Sequence, residues 1–186
     1  PIRNCLAQAQ RRLHSHRSIY GSSVKLPFIA RSLFAAALAA AALSAQAANP
    51  ILVLNSLDAN ISVIDPTTWK EVKRIPTGKE PHHLYLTPDS KSVIVANATG
   101  DSLTFVDPKT AAVQRVIQGI SDPYHLRFSP DMKWFVTAAN RLNHIDIYSW
   151  NGSEPKLAKR IATGKTPSHL WIDSKSTTIY STMQDS

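Results

Sequence analysis

The sequence predicts an all-β fold: a β-propeller of four-stranded blades, present as a truncated arc of about three blades after a signal peptide. Three observations carry that expectation. Pro-x-His-Leu recurs as Pro81-His82-His83-Leu84, Pro123-Tyr124-His125-Leu126 and Pro167-Ser168-His169-Leu170, the histidines 42 and then 44 residues apart. A period near 40 marks stacked supersecondary units. Short runs rich in Val, Ile, Leu and aromatics, bounded by Gly, Pro, Asn and Asp, fill each period, with no helical stretch among them after the leader.

Within a repeat the elements follow in a constant order. An innermost strand opens on the histidine, at 83–87, 125–129 and 169–173. A turn follows, Pro88-Asp89-Ser90-Lys91 or Pro130-Asp131-Met132-Lys133, in which Pro sets φ and Asp closes the turn through its side chain. The second strand is expected at 51–55, 93–97 and 135–139, the third at 61–65, 103–107 and 145–149, and the fourth at 72–75, 113–117 and 157–161. Thr77-Gly78-Lys79-Glu80-Pro81 and Thr163-Gly164-Lys165-Thr166-Pro167 then turn into the next histidine. With a last strand at 179–182 the expectation is 13 strands. Four-stranded units at this period point to a propeller, whose radial repetition leaves only short, protected edges.

The chain opens on Pro1, and residues 1–23 are read as a non-native upstream extension, with Val24 as the start if a GTG codon was translated literally. Residues 24–47 have the layout of a secretory signal. Lys25 and Arg31 form its basic region, 33–43 an alanine-rich apolar run, and Ala45-Gln46-Ala47 a cleavage site after Ala47. The apolar run is too short to span a bilayer, so no membrane span is expected, and Arg11-Arg12 lie too far from it for a twin-arginine signal. The expected location is the periplasm or the exterior, with residues 48–186 as a partial propeller domain.

Trimming the leader changes the charge. Of the 21 Lys/Arg six lie in residues 1–47, which hold no Asp or Glu, so 15 basic residues face 13 acidic ones, a net of +2 rather than +8. A nearly balanced domain lacks the electrostatic footprint of a nucleic-acid binder, and none is expected as a partner. Cys5 falls in the leader. The domain then has no cysteine, which suits an oxidising compartment and excludes covalent c-type haem. Taking 47 from 186 leaves 139 residues, enough for a sizeable core.

At this point the residues resemble the YVTN-type β-propeller repeat family, which includes relatives of the cytochrome d1 haem domain. Val93-Ile94-Val95-Ala96-Asn97 stands in the place of the family's Tyr-Val-Thr-Asn strand. Leu103-Thr104-Phe105-Val106-Asp107-Pro108-Lys109-Thr110 and residues 61–68 match its Val-Ile-Asp-x-x-Thr segment. Leu86-Thr87-Pro88-Asp89 and Phe128-Ser129-Pro130-Asp131 match its Ser-Pro-Asp-Gly-Lys turn, with Ser90 and Met132 for glycine. The match weakens in the third repeat, where Ser149-Trp150 replaces Asp-Pro and Ser174-Lys175 replaces Pro-Asp. The resemblance implies a molecule whose first blade takes its inner strand from a C-terminus absent here. It therefore implies an open arc able to self-associate through unpaired blade edges.

One histidine sits at the same point of each repeat. His83, His125 and His169 open inner strands, where a blade meets the central channel, and neutral imidazole is a common metal ligand. Positions two apart share a strand face, which joins Tyr85 to His83, Arg127 to His125 and Trp171 to His169. The set is polar and aromatic, suited to a planar anion, and His82 is a further candidate. The resemblance adds haem, since d1-bearing relatives hold that cofactor over the channel with a histidine ligand. A histidine tying the inner strand to a neighbouring turn would recur in the same way without binding anything. The cofactor is therefore open between haem, a divalent metal and none.

Other signals are absent or local. There is no Gly-x-Ser-x-Gly, His-Glu-x-x-His or phosphate-cradling glycine loop. Asp58-Ala59-Asn60-Ile61-Ser62 imitates a calcium loop, but Val63 and Trp69 occupy its glycine and glutamate positions. Asp65, Asp107 and Asp146 suggest paired carboxylates for acid–base work, but the first two end equivalent strands ahead of turns and read as capping and turn residues. Trp134, Trp150 and Trp171 read as blade-packing residues and His144 as a loop residue. The expected function is a non-catalytic scaffold that binds a small ligand or protein at the channel mouth. The alternatives are a haem d1-type or metal-associated redox protein and, by fold analogy alone, a propeller lactonase.

Overall fold

The computed structural model describes residues 49–185, so the expectations for residues 1–23 and 24–47 lie outside the described residues. Among the described residues there are 13 strands in four antiparallel sheets, each a simple meander. The first sheet holds β1 (Ile51–Asn55), β2 (Asn60–Ile64) and β3 (Glu71–Pro76). The second holds β4 (Pro81–Leu86), β5 (Val93–Asn97), β6 (Ser102–Val106) and β7 (Val113–Gln118). The third holds β8 (Pro123–Phe128), β9 (Trp134–Ala139), β10 (His144–Trp150) and β11 (Pro155–Ala162). The fourth holds β12 (Pro167–Ile172) and β13 (Ile179–Met183). This is an all-β, partial propeller with no sheet closed on itself, and no described helix is long and apolar enough to cross a membrane.

The sheets stack face to face, and the period-2 pattern of the strands builds a core in each gap. In β5, Val93 and Val95 pack with Ile61, Val63 and Ile75 of the first sheet. Its alternate residues Ile94 and Ala96 pack with Leu126 and Phe135 of the third. A strand buried on both faces must be apolar at nearly every position, which is why this run reads as continuous rather than alternating. Val136, Ala138 and Ile145 meet Leu170 and Ile172 in the last gap. The outer strands β3, β7 and β11 are largely exposed, so burial falls along each blade from its middle strands outward.

Turn chemistry repeats with the strands. The Asp65 carboxylate accepts the N–H groups of Thr67 and Thr68, and Asp107 those of Lys109 and Thr110. In the third repeat Asn151 does this for Ser153 and Glu154, so Ser149-Trp150 is not the counterpart of Asp-Pro: β10 and β11 run on by a residue or two, which accounts for the 44-residue spacing. Asp89 and Asp131 close their turns on Lys91 N–H and Lys133 N–H, as the sequence predicts. Asp173 takes the place of Thr87 and Ser129 there, accepting Thr178 N–H as Thr87 accepts Ser92 N–H and Ser129 accepts Trp134 N–H.

Each inner strand begins two residues before its histidine. Pro81, Pro123 and Pro167 are the first strand residues, a position proline tolerates because no ladder N–H is needed there. The register then slips: Pro81 pairs with Asn97 but His83 with Ala96, and Pro123 pairs with Ala139 but His125 with Ala138. β12 carries an irregularity at the same place, between Pro167 and Leu170. A bulge leaves an extra residue unpaired and re-aims its neighbours. Here the extra residue of the second and third sheets is His82 or Tyr124, and the re-aimed one is the histidine.

Candidate functional site

The bulged inner strands β4, β8 and β12 bring the three repeat histidines together. Ring centroids lie 4.5 Å apart for His83 and His125, 5.1 Å for His125 and His169, and 5.6 Å for His83 and His169. Nitrogen atoms, one from each ring, all lie within 4.8 Å of one another. Burial grades across the set, His83 and His125 being partly covered and His169 exposed.

The second ring nitrogens decide what the site can do. His83 Nδ1–H donates to the Tyr124 carbonyl oxygen at 2.7 Å; a carbonyl only accepts, so this ring keeps its lone pair on Nε2. His169 Nδ1 lies 2.9 Å from Ser168 Oγ. His125 Nδ1 is buried with no partner. Burial is the main force holding the His125 pKa down, to about 3, and His83, His169 and Arg127 add to it. Burial also lowers His83 and His82, opposed by the Tyr124 carbonyl and by Glu80 respectively. Burial thus favours the neutral imidazole at His83 and His125, the form that binds metal.

His82 stands beside this group rather than in it. Its ring stacks on Tyr124 at 3.8 Å and its Nδ1 lies 2.9 Å from His83 Nδ1. Two residues along the inner strands, Tyr85, Arg127 and Trp171 meet in a second layer. The Arg127 guanidinium lies 4.6 Å from the Trp171 ring centroid and 5.4 Å from that of Tyr85, and Nη1 donates to Tyr85 Oη at 3.3 Å. Trp171 is 61% exposed and meets the neighbouring blade through Arg127; Trp150 packs against the core between the second and third sheets.

The structure also places polar groups that local patterns did not indicate. His144 is no loop residue: it opens β10, is 7% exposed, and sits with Nε2 3.5 Å from the buried Asp146 carboxylate. Arg160 donates to both Asp146 oxygens at 2.7 Å, and Tyr148 Oη donates to the same group at 3.1 Å. Burial, with Asp146 behind it, pushes the Tyr148 hydroxyl pKa up. The equivalent residues of the other repeats explain the network. Asn97 bonds Ser102 and Thr104, and Asn55 bonds Asn60 and Ser62, whereas Ala139 leaves the corresponding space to His144 and Asp146. The missing asparagine was the one signal in the sequence.

Among curated proteins none matches the chain. Solved structures share its fold at low identity. Kuenenia stuttgartiensis hydrazine synthase is 22% identical with a TM-score of 0.60, over 74% of this chain and 39% of that one. A putative 6-phosphogluconolactonase from Bacteroides uniformis is 15% identical with a TM-score of 0.61, over 73% and 47%. The dihydro-heme d1 dehydrogenase NirN, in complex with DHE, is 18% identical with a TM-score of 0.55, over 74% and 30%. The chain thus spans less than half the length of each of these structures, and at such identities the likeness concerns the fold alone. The family model for YNCE-like beta-propellers matches residues 18–186, nearly the whole chain; with thirteen strands in stacked antiparallel sheets beneath that match, the protein belongs to the YNCE-like beta-propeller family.

Proposed function

We propose that this propeller is a non-catalytic binding protein that holds a divalent transition metal on His83, His125 and His169. The convergence of the three rings carries the reading: their nitrogens lie within 4.8 Å of one another. A zinc ion with Zn–N bonds of about 2.0–2.1 Å and tetrahedral angles has its nitrogens about 3.3 Å apart, so the most distant pair has to close by about 1.5 Å. Two of the rings already show the support that metal-bound histidines need, a partner for the second nitrogen: Tyr124 O for His83 and Ser168 Oγ for His169. Three imidazoles leave a fourth position open to a ligand. The orphaned His125 Nδ1 is a cost of about 1–3 kcal/mol that propeller architecture alone does not explain.

The haem reading uses the site less fully. A haem takes one axial imidazole from a face, while three rings converging at 4.5–5.6 Å suit a single bare ion. The leader pattern supports a periplasmic or secreted protein. Isothermal titration of the metal-free full chain with Zn(II) tests the proposal. The expected result is one site per chain, weakened at least 100-fold in His125→Ala; no binding, or equal binding by the variant, would refute it.

A further inference from the structure

Arg127 is the arginine without a carboxylate partner among the described residues. Arg74 pairs with Glu71 and Asp58, Arg115 with Glu154, Arg141 with Asp122 and Arg160 with Asp146. Arg127 instead lies between two aromatic rings, Trp171 and Tyr85, with one bond to the Tyr85 hydroxyl. Cation–π contact holds a guanidinium against the rings without using its edge N–H groups, and here only Nη1 has a partner, the Tyr85 hydroxyl. Those donors match the two oxygens of a carboxylate. A cleft of about 400 Å³ is lined by His125, His169, Arg127, Trp171 and Tyr180, so the two layers open into one space. Along β8, Arg127 is two residues past His125 on the same strand face, a step of about 7 Å.

We infer that this site takes a small aromatic or apolar carboxylate, coordinated to the metal in its open fourth position and held at the same time by Arg127. The inference rests on the three-histidine metal reading above. The carboxylate displaces the ion's water, bonds the metal through one oxygen and receives Arg127 N–H groups on the other. Its body lies against Trp171 and Tyr180, which are 61% and 58% exposed and offer flat apolar surface at the cleft wall. The aromatic wall favours a carboxylate with an apolar body over inorganic phosphate, which would leave those rings in water.

The test uses the full chain loaded with Co(II), whose visible bands report the ion's coordination, titrated with benzoate. The wild type is expected to show a saturable spectral change, and Arg127→Met to bind Co(II) as tightly but benzoate roughly 10–100-fold more weakly. Arg127→Lys keeps the charge without the fork and should fall between them. A benzoate response unchanged in both variants, or a response to inorganic phosphate and none to benzoate, overturns the carboxylate inference while the metal site stands. Absence of Co(II) binding by the wild type overturns the metal reading and the inference together.

Discussion

The Nδ1–H of His83 donates to the main-chain carbonyl of Tyr124, 2.7 Å away in the next blade and 41 residues along the chain. One bond thus joins two inner strands and sets which nitrogen of His83 faces its neighbours. The nitrogen spectrum of the metal-free protein should show His83 protonated on Nδ1 at neutral pH. Protonation on Nε2 would break the link between the bulge and the site.

His125 makes stability depend on pH. Its folded-state pKa is lowered from 6.5 to about 3, by burial first and then by His83, His169 and Arg127. Between those values the unfolded chain binds a proton that the folded chain refuses. This contribution is therefore complete above pH 6.5 and is lost as pH falls toward 3. Tm of the metal-free protein should drop between pH 7.5 and pH 4.5. The drop should shrink in His125→Gln, with His82 and His83 supplying the remainder in the same direction. An equal drop in the variant would show that His125 is not the group concerned.

Asp146 is fully buried and answered chiefly by Arg160, whose side chain is 47% exposed. Arg160→Ala leaves the carboxylate without its main partner and should cost about 2–3 kcal/mol in a denaturant titration, the lower end reflecting that exposure. Residues Ser62 and Thr104 occupy the same place in the other repeats, paired as Asp146 is with the second strand. The double change Asp146→Thr with Arg160→Ala should therefore recover most of the loss. A double variant no better than the single one would mean the network is required for more than its own charge balance.

Met132 has φ of 62° and Ser90 of 58°, at the turn position where the family pattern carries glycine. A side chain there costs about 1–2 kcal/mol, against about 0.5–1 kcal/mol of extra chain entropy for glycine. Met132→Gly should thus raise stability by roughly 0.5–1 kcal/mol, read as a small increase in Tm. A fall would mean that Met132 contacts on the turn outweigh the backbone strain.

Gly78 behaves in the opposite sense. A Cβ there would lie 2.6 Å from Ser102 Oγ and 2.8 Å from Asn97 Cβ, against the buried Asn97 that ties β5 to β6. Gly78→Ala should destabilise by about 1–3 kcal/mol through this overpacking. An unchanged denaturation midpoint would show that the Thr77-Gly78 turn lifts away freely.

Strands, turns and the repeat were legible in the residues because each depends on local chemistry. The two-faced burial of β5 writes a continuous apolar run, and Asp65 and Asp107 cap their own turns, whereas the start of each inner strand at proline, two residues ahead of the expected histidine, came from the structure. His83, His125 and His169 were legible as a recurring position, as were Tyr85, Arg127 and Trp171 as their neighbours two residues on. Tertiary structure decided what those positions amount to. Whether three equivalent rings meet within 4.8 Å depends on the spacing of sheets that pack through side chains elsewhere, in the Ile94–Leu126 and Val136–Leu170 gaps. The His83 tautomer depends on a carbonyl, a group every residue carries, so no residue type could announce it. The burial of His144 and Asp146 follows from a space opened by Ala139 across the sheet, and the Trp171–Arg127–Tyr85 stack joins three blades. A one-dimensional pattern specifies which face a side chain takes; only the packing of one sheet on the next sets the distance to what it meets there.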